Sequence, residues 1–447
     1  MTAVLGSRAA ELCDRSTKLL AHRGLRSRTE YGAGWALGHV RLPIVGLGEA
    51  WDQPVARGRW LVGFVGELLD FRERDPSAEC DIALAANTWE RYGPVGFTEF
   101  DGFWSVVAVD RASGEVHCLV DYLSQKPLYV RDDGQVVAVA SEPDAVARLA
   151  PVELDRTYLS AVVKWGYCPE TWRTPYEGVR RMLPGEHLVL TSSGVQSVDR
   201  VDVLIPVPGC TPQVLGNEIK GAVRRRVTSA DVPVACLLSG GLDSSLVYAL
   251  ASRCGNVRAY HVENEERDAC LSVCPDPTFL DYRNVSLGMA LDYMQEPLDL
   301  GSLVPQVSLS DAVAGSGGER VCLTGDGADE LLGGYGRSTR YDSQASDVFH
   351  ELVAWHLPRL DRVMMRNRVE VRSPYLARTV AGSCLGLPRS ARTGKAVLRE
   401  IARGVIPDAV VDAPKRALRT AEVECDREAR SRNLVDMFER RVELCRK

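Results

Sequence analysis

The chain has 447 residues, enough for two or three domains each with its own core, and its 45% hydrophobic and 26% charged content is that of a soluble globular protein. A net charge of −6 offers no general basic surface for nucleic acid, and no apolar stretch reaches the length of a membrane span. The opening Met1-Thr2-Ala3-Val4 lacks the pattern of a secretion signal, and thirteen scattered cysteines with no CxxC pair predict a reduced, cytoplasmic chain rather than a disulfide framework or a zinc site.

In chain order, the first 200 residues read mostly as short strands separated by turns. Trp60 to Phe64, Trp104 to Val109, Val116 to Asp121 and Val136 to Ala140 are examples, with helical patterns at Ala9 to Leu20 and Asp81 to Arg91. This is the rhythm of a layered α/β fold with antiparallel sheets. The proline-bearing stretch from Val201 to Pro212 predicts a domain boundary. Arg224-Arg225-Arg226 reads as the solvated C-terminal part of a helix.

Val234 to Leu238 then reads as a buried strand, and Leu246 to Leu250 as the start of a helix. The turn between them, Ser239-Gly-Gly-Leu-Asp-Ser-Ser245, has the chemistry of an anion cradle. Glycines let backbone N–H groups approach a ligand, hydroxyls donate, and the next helix directs its positive end at the same spot. Asp243 suits such a site only with a divalent cation between it and phosphate; the plainer alternative is a serine-capped turn.

A second cluster, VCLTGDGADELLGGYGR (321 to 337), again follows an apolar strand with small residues and acids. Asp326, Asp329 and Glu330 are crowded for a solvated face; the alternative is a helix capped by Asp326, with Asp329 and Glu330 supporting the helix dipole. Asp329 with Asp243 could hold magnesium. In TGKAVLRE (393 to 400), Lys395 and Arg399 fall four apart, on one helical face. The tail from Ala421 to Lys447 is charged and reads as a surface helix or a partly disordered segment.

These elements resemble the asparagine synthetase family, which includes β-lactam synthetases and lasso-peptide cyclases. ADVPVACLLSGGLDSS is similar to its pyrophosphate loop and LTGDGADELLGGY to its acidic loop. LPRLDRVMMRNRVEVRSPYL (357 to 376), GLP (386 to 388), TGKAVLRE and IPDAVVDAPKR (406 to 416) follow in family order, and no GxxxxGK[ST] loop competes. AHRG, GHVRLPIVGL, GFVGELLDF, DGFWSVVAVD, QKPLY and ASE resemble the family's glutaminase half.

The resemblance implies an α/β protein of two domains. Residues 1–205 would form a degenerate glutaminase-like αββα sandwich of the N-terminal-nucleophile type. Residues 206–447 would form a helix-rich ATP-pyrophosphatase domain. It implies ATP as co-substrate and Mg2+ as cofactor: a carboxylate is adenylated with release of pyrophosphate, and an amine then displaces AMP. Leu238, Ser239, Gly240, Gly241, Asp243, Ser244, Ser245 and Gly325 would bind the nucleotide, Asp243 and Asp329 the metal. Lys395 would stabilise developing charge, and Asp326 would assist the amine's proton loss or position substrate. DLGSLVP (299 to 305) lies where the family lines its acyl pocket.

The glutaminase positions are degraded. Thr2 stands at the nucleophilic cysteine, Val65 at the oxyanion-stabilising Asn before Gly66 and Glu67, and Glu79 at the substrate-holding Asp; Arg41 remains, and a buried structural role explains it equally well. Nucleophile and oxyanion donor are lost together, so the amine is expected from a source other than glutamine. The alternatives are asparagine formation from ammonia, and a catalytically silent ATP-binding scaffold. A small-molecule or peptide carboxylate and an amine are the expected partners, and a homodimer stays open.

Overall fold

The computed structural model describes residues 1–282, 285–296, 300–334, 350–414, 436, 438–440 and 442–443. Two six-stranded antiparallel sheets and one five-stranded parallel sheet organise the chain. The first sheet runs in the order Val179–Arg181, Tyr129–Asp132, Val137–Ala140, Thr2–Leu5, Trp35–Arg41, Arg26–Gly32. The second runs Gly194–Arg200, Glu186–Thr191, Val116–Val120, Gly102–Asp110, Trp60–Leu68, Val55–Arg57.

Period-2 alternation sends each strand's side chains to two different cores. From Gly102–Asp110, Val107 and Val109 pack between the sheets with Met1, Ala3, Leu37 and Val139. Trp104, Val106 and Ala108 from the same strand pack outward with Ile82, Ala85 and Trp89 of the helix Asp81–Tyr92. On the other outer face, Val4 and Ala36 meet Ala9, Leu12 and Cys13 of the helix Ala9–Leu19. Helix, sheet, sheet and helix thus stack as an αββα sandwich. Strands buried on both faces read as continuous apolar runs, which is why GFWSVVAVD has no polar alternation.

The third sheet runs Thr278–Leu280, Val257–Val262, Val234–Leu237, Val321–Leu323, Glu370–Arg372, all parallel. Its order reverses between Val234–Leu237 and Val321–Leu323, the point at which open parallel sheets form a crevice at the carboxyl ends of their strands. Both sequence-predicted loops lie there.

The two halves share one core. Ile44, Phe64, Phe71 and Tyr122 belong to the same apolar cluster as Leu215, Ile219, Val223 and Leu376. The basic run at the end of the helix Pro212–Thr228 is part of this join, which corrects the solvated face expected for it. Arg224 is exposed, but Arg226 is fully buried, and Asp101 pairs with Arg225 at 2.7 Å and Arg226 at 3.5 Å. Burial alone would raise the Asp101 pKa; the two guanidinium groups outweigh it and hold the carboxyl below its usual range. No helix among the described residues is long and apolar enough to cross a membrane.

Candidate active site

The loop after Val234–Leu237 is built from its own hydroxyls. Leu238 is pinned on both sides, its N–H donating to Tyr260 O (2.9 Å) and its carbonyl accepting from His261 Nδ1 (2.8 Å). Ser239 and Ser244 hydroxyls lie 2.9 Å apart, and the Ser239 N–H donates to Ser244 Oγ (3.0 Å). Gly240 has φ +90°, and a Cβ there would stand 2.7 Å from Glu266 O, so the tight turn requires glycine. The helix that follows, Leu242–Ala251, starts four residues earlier than expected. Its N-cap is Gly241, with no side chain capping it. Ser245 Oγ is buried without a hydrogen-bond partner among the described residues.

Gly325, after Val321–Leu323, brings the second loop into contact with the first. Its Cβ would meet Asp243 Cβ and Ser244 N, each at 2.9 Å. Asp329 lies in the short helix Ala328–Leu331, whose N-cap is Gly327, so Asp326 does not cap it. Asp326 is half-buried, and its carbonyl accepts from Ser373 Oγ. Glu330 faces His356 Nε2 at 3.4 Å, and burial pushes its carboxyl pKa up.

Lys395 completes the group. Its Nζ lies 2.5 Å from Asp243 Oδ2 and 2.5 Å from Asp329 Oδ1, and the residue is only 3% exposed. It does not share a helical face with Arg399, contrary to expectation. Gly394 and Lys395 both have positive φ (63° and 59°), which stops the helix Ala396–Ala402 short of the lysine. Lys395 N–H donates to Leu332 O (3.0 Å) and Gly394 N–H to Gly333 O (3.1 Å), strapping this turn to the acidic loop. Arg399 instead donates to the carbonyls of Val411 and Ala413.

Sequence reasoning missed Gly334. A Cβ there would stand 1.9 Å from Asp329 Oδ1 and 2.3 Å from Lys395 Cε, so only glycine lets the lysine reach the acid. The paired Gly333-Gly334 was the available signal. Of the other expected positions, 299, 335–337 and 415–416 lie outside the described residues, as does most of 421–447. Residues 300–305 begin the helix Leu300–Gly315.

A second cavity lies where the two halves meet, lined by Met1, Arg41, Val65, Gly66, Glu67 and Asp81 together with Met365 and Glu370. Thr2 is fully buried and does not line it. Its hydroxyl donates to Val139 O (3.0 Å) and accepts from Ser16 (2.9 Å), on the helix-covered side of the strand. Glu79 is exposed and outside the cavity; Asp81 occupies the wall instead, because the helix Asp81–Tyr92 turns its first residue inward. Arg41 spends its donors on Val45, Gly46 and Gly48 carbonyls and Asp52, which marks it as structural. Burial, with Asp81 and Glu370 adding repulsion, holds the Glu67 pKa well above the usual carboxylate range.

An Ntn-type sandwich joined to a parallel sheet, with a glycine–serine loop facing two acids and a lysine, defines the glutamine-amidotransferase-plus-synthetase class of protein. The glutamine amidotransferase domain family matches residues 1–200, and the asparagine synthase family matches 215–269, 281–354 and 345–440. The chain belongs to the asparagine synthetase family. A putative glutamine-hydrolysing asparagine synthetase of Mycobacterium tuberculosis is 26% identical over 387 residues, covering 74% of this chain and 58% of that protein. A probable glutamine-hydrolysing asparagine synthetase of Acanthamoeba polyphaga mimivirus is 27% identical over 426 residues, covering 86% of this chain and 76% of its own. The chain thus spans about 58% of the length of the mycobacterial relative.

Proposed function

We propose that the chain is an ATP-dependent, amide-forming synthetase. It activates a carboxylate as its acyl-adenylate, releasing pyrophosphate, and passes the acyl group to an amine from a source other than glutamine, releasing AMP. The observation that carries this reading is the meeting of Asp243, Asp329 and Lys395 at the crevice between two strand-end loops. Three charged side chains from three distant segments have no packing reason to converge with so little exposure.

In this reading, residues 238–245 cradle the pyrophosphate part of ATP through backbone N–H groups and the serine hydroxyls. Gly325 permits the second loop to close on the first. Magnesium fits the donor set: Asp243 and Asp329 bring hard carboxylate oxygens close together, each 2.5 Å from Lys395 Nζ, and no cluster of three or more protein ligands occurs among the described residues. That arrangement suits an ion whose shell is completed by phosphate and water. The ion, held by these two carboxylates, supplies neutralisation of phosphate charge. Lys395, buried and therefore weakly screened, stabilises negative charge as the carboxylate attacks and as the tetrahedral intermediate collapses. Asp326, at the mouth of the same loop, positions substrate or accepts the amine's proton.

The orientation of Thr2 and the side chain of Val65 support an amine source other than glutamine, in a first domain ending at residue 205. The eleven described cysteines are all free thiols, which supports a reducing, cytoplasmic setting. The names carried by the relatives favour a second reading, asparagine formation, here with free ammonia. Mixing the protein with ATP, Mg2+ and a panel of acids, with and without amines, tests the proposal. AMP and pyrophosphate are expected in equal amounts; ADP as the sole nucleotide product would refute it.

A further inference from the structure

We propose that the turn from Ser373 to Leu376 is a strut that positions both acidic loops, and that Tyr122 fixes this strut to the amino-terminal domain. The inference rests on the reading of Asp243 and Asp329 as the metal-holding pair.

Three contacts run from the strut to the loops. Ser373 Oγ donates to the main-chain carbonyl of Asp326. Tyr375, fully buried, donates its hydroxyl to the main-chain carbonyl of Asp243 at 3.1 Å. Leu376 closes over Gly327: a Cβ on that glycine, at φ +90°, would stand 2.3 Å from Leu376 Cδ2. A segment four residues long therefore touches the backbone of Asp243 and the Asp326-Gly327 backbone that leads into the helix carrying Asp329.

The far side of the strut is anchored in the other half of the chain. Tyr122 OH donates to Leu376 O. Tyr122 is itself immobilised, its N–H donating to Asp202 Oδ2 at 3.0 Å and its ring lying under Arg378 at 4.3 Å. Arg378 in turn grips both oxygens of Asp202 at 2.7 and 2.8 Å. The loop carrying Tyr122 is stiffened by Asp121, whose carboxylate accepts from the N–H groups of Trp104, Leu123 and Gln125 at 2.8–3.1 Å. Such a frame explains why a domain without a competent nucleophile stays joined to the synthetase half. Two carboxylates can share one ion only if their separation is held to a fraction of an ångström.

Tyr122, Ser373 and Tyr375 are positioning residues: none need touch the nucleotide. The test titrates ATP calorimetrically in Mg2+ and again in EDTA, with wild type, Tyr122→Phe, Tyr375→Phe, Ser373→Ala and the control Tyr176→Phe. Tyr176 donates its hydroxyl to Asp144 Oδ1 at 2.6 Å, within the amino-terminal domain. The wild type should bind ATP more tightly with Mg2+ than without. Tyr122→Phe and Tyr375→Phe should each lose about tenfold of that metal-dependent gain, the worth of one buried hydrogen bond, with binding in EDTA unchanged. Tyr176→Phe should keep the gain. Variants that lose thermal stability yet retain the full gain overturn the strut and leave a merely structural contact. Unchanged variants beside a magnesium-dependent wild type overturn the strut alone. A wild type whose ATP affinity ignores Mg2+ overturns the reading of the acid pair, and the strut with it.

Discussion

Lys395 and Asp243 lie 152 residues apart in sequence and 2.5 Å apart in space. With Asp329 at the same distance from the ammonium, the group carries two negative charges against one positive. Each carboxylate is about nine-tenths buried, so each meets the ammonium with little water between them.

Lys395→Ala removes the only resident counter-charge in this trio. Amide formation should fall by on the order of a hundredfold or more, the scale of losing one preorganised charge stabiliser. ATP binding should change far less. The variant's thermal midpoint should drop without divalent ions and recover more than the wild type's on adding Mg2+. Thermal denaturation with and without Mg2+, alongside pyrophosphate release, checks both halves. A near-normal rate would remove Lys395 from the chemistry.

Gly334→Ala should be as damaging as Lys395→Ala, though it deletes nothing. The added methyl overlaps Asp329 Oδ1 and Lys395 Cε, so either the carboxylate or the lysine must leave its place. Overpacking of this kind costs about 1–3 kcal/mol and displaces the charged groups besides. Gly315→Ala is the control, because the methyl it adds would meet nothing within 4 Å. Urea melts and pyrophosphate release on both variants separate strain from loss of activity. Full activity in Gly334→Ala would mean that the acid and the lysine need not meet.

What could be read in the sequence were features that local chemistry dictates. The Ser239-to-Ser245 turn and the Asp326-to-Glu330 run stand out because glycines and acids seldom follow buried strands for packing reasons. The two-faced burial of Gly102–Asp110 is likewise visible in its unbroken apolar run. What escaped depends on the path of the backbone or on distant partners. Lys395 leaves its helix because Gly394 and Lys395 turn left-handed, which spacing alone cannot reveal. Arg226 reads as solvated because the acid that pairs with it in the core, Asp101, lies 125 positions earlier. Asp81 rather than Glu79 faces the cavity lined by Met1 and Glu67 through the phase at which one helix starts. The Thr2 hydroxyl faces Val139 and Ser16 because its strand's alternation places residues 1, 3 and 5 between the sheets.

That orientation makes a prediction about glutamine. Thr2→Ala should leave amine-dependent product formation unchanged and cost about 1 kcal/mol of stability through the lost hydrogen bond to Val139. Thr2→Cys should not create a glutaminase, since the side chain faces away from the cavity and Val65 offers no donor to an oxyanion. Glutamate release from glutamine, measured for wild type and both variants, decides it. Release by the wild type that Thr2→Ala abolishes would make Thr2 a working nucleophile.

His39 predicts a specific acid sensitivity. Its ring is buried, Nε2 donates to Phe64 O at 2.9 Å, and its pKa is pushed from 6.5 down to about 3. Burial is the main cause, with the amino terminus adding repulsion. Below pH 6.5 the unfolded chain therefore takes up a proton that the folded chain refuses. The unfolded state binds more protons, so stability rises with pH across this window and falls on acidification, by about 1.4 kcal/mol per pH unit. The amino-terminal amine, lowered to about 5 by burial, adds its own slope in the same direction from pH 8 downward. His39→Gln isolates the histidine's share. The variant should be the less stable protein at pH 7, and the gap to wild type should narrow by about 2 kcal/mol between pH 6.5 and pH 5, while the amine's contribution cancels in the difference. Urea unfolding of both proteins at pH 7, 6.5, 6 and 5 measures it. A gap that stays constant over that range would show the folded protein accepting the proton, and the imidazole would then have to be charged within the core.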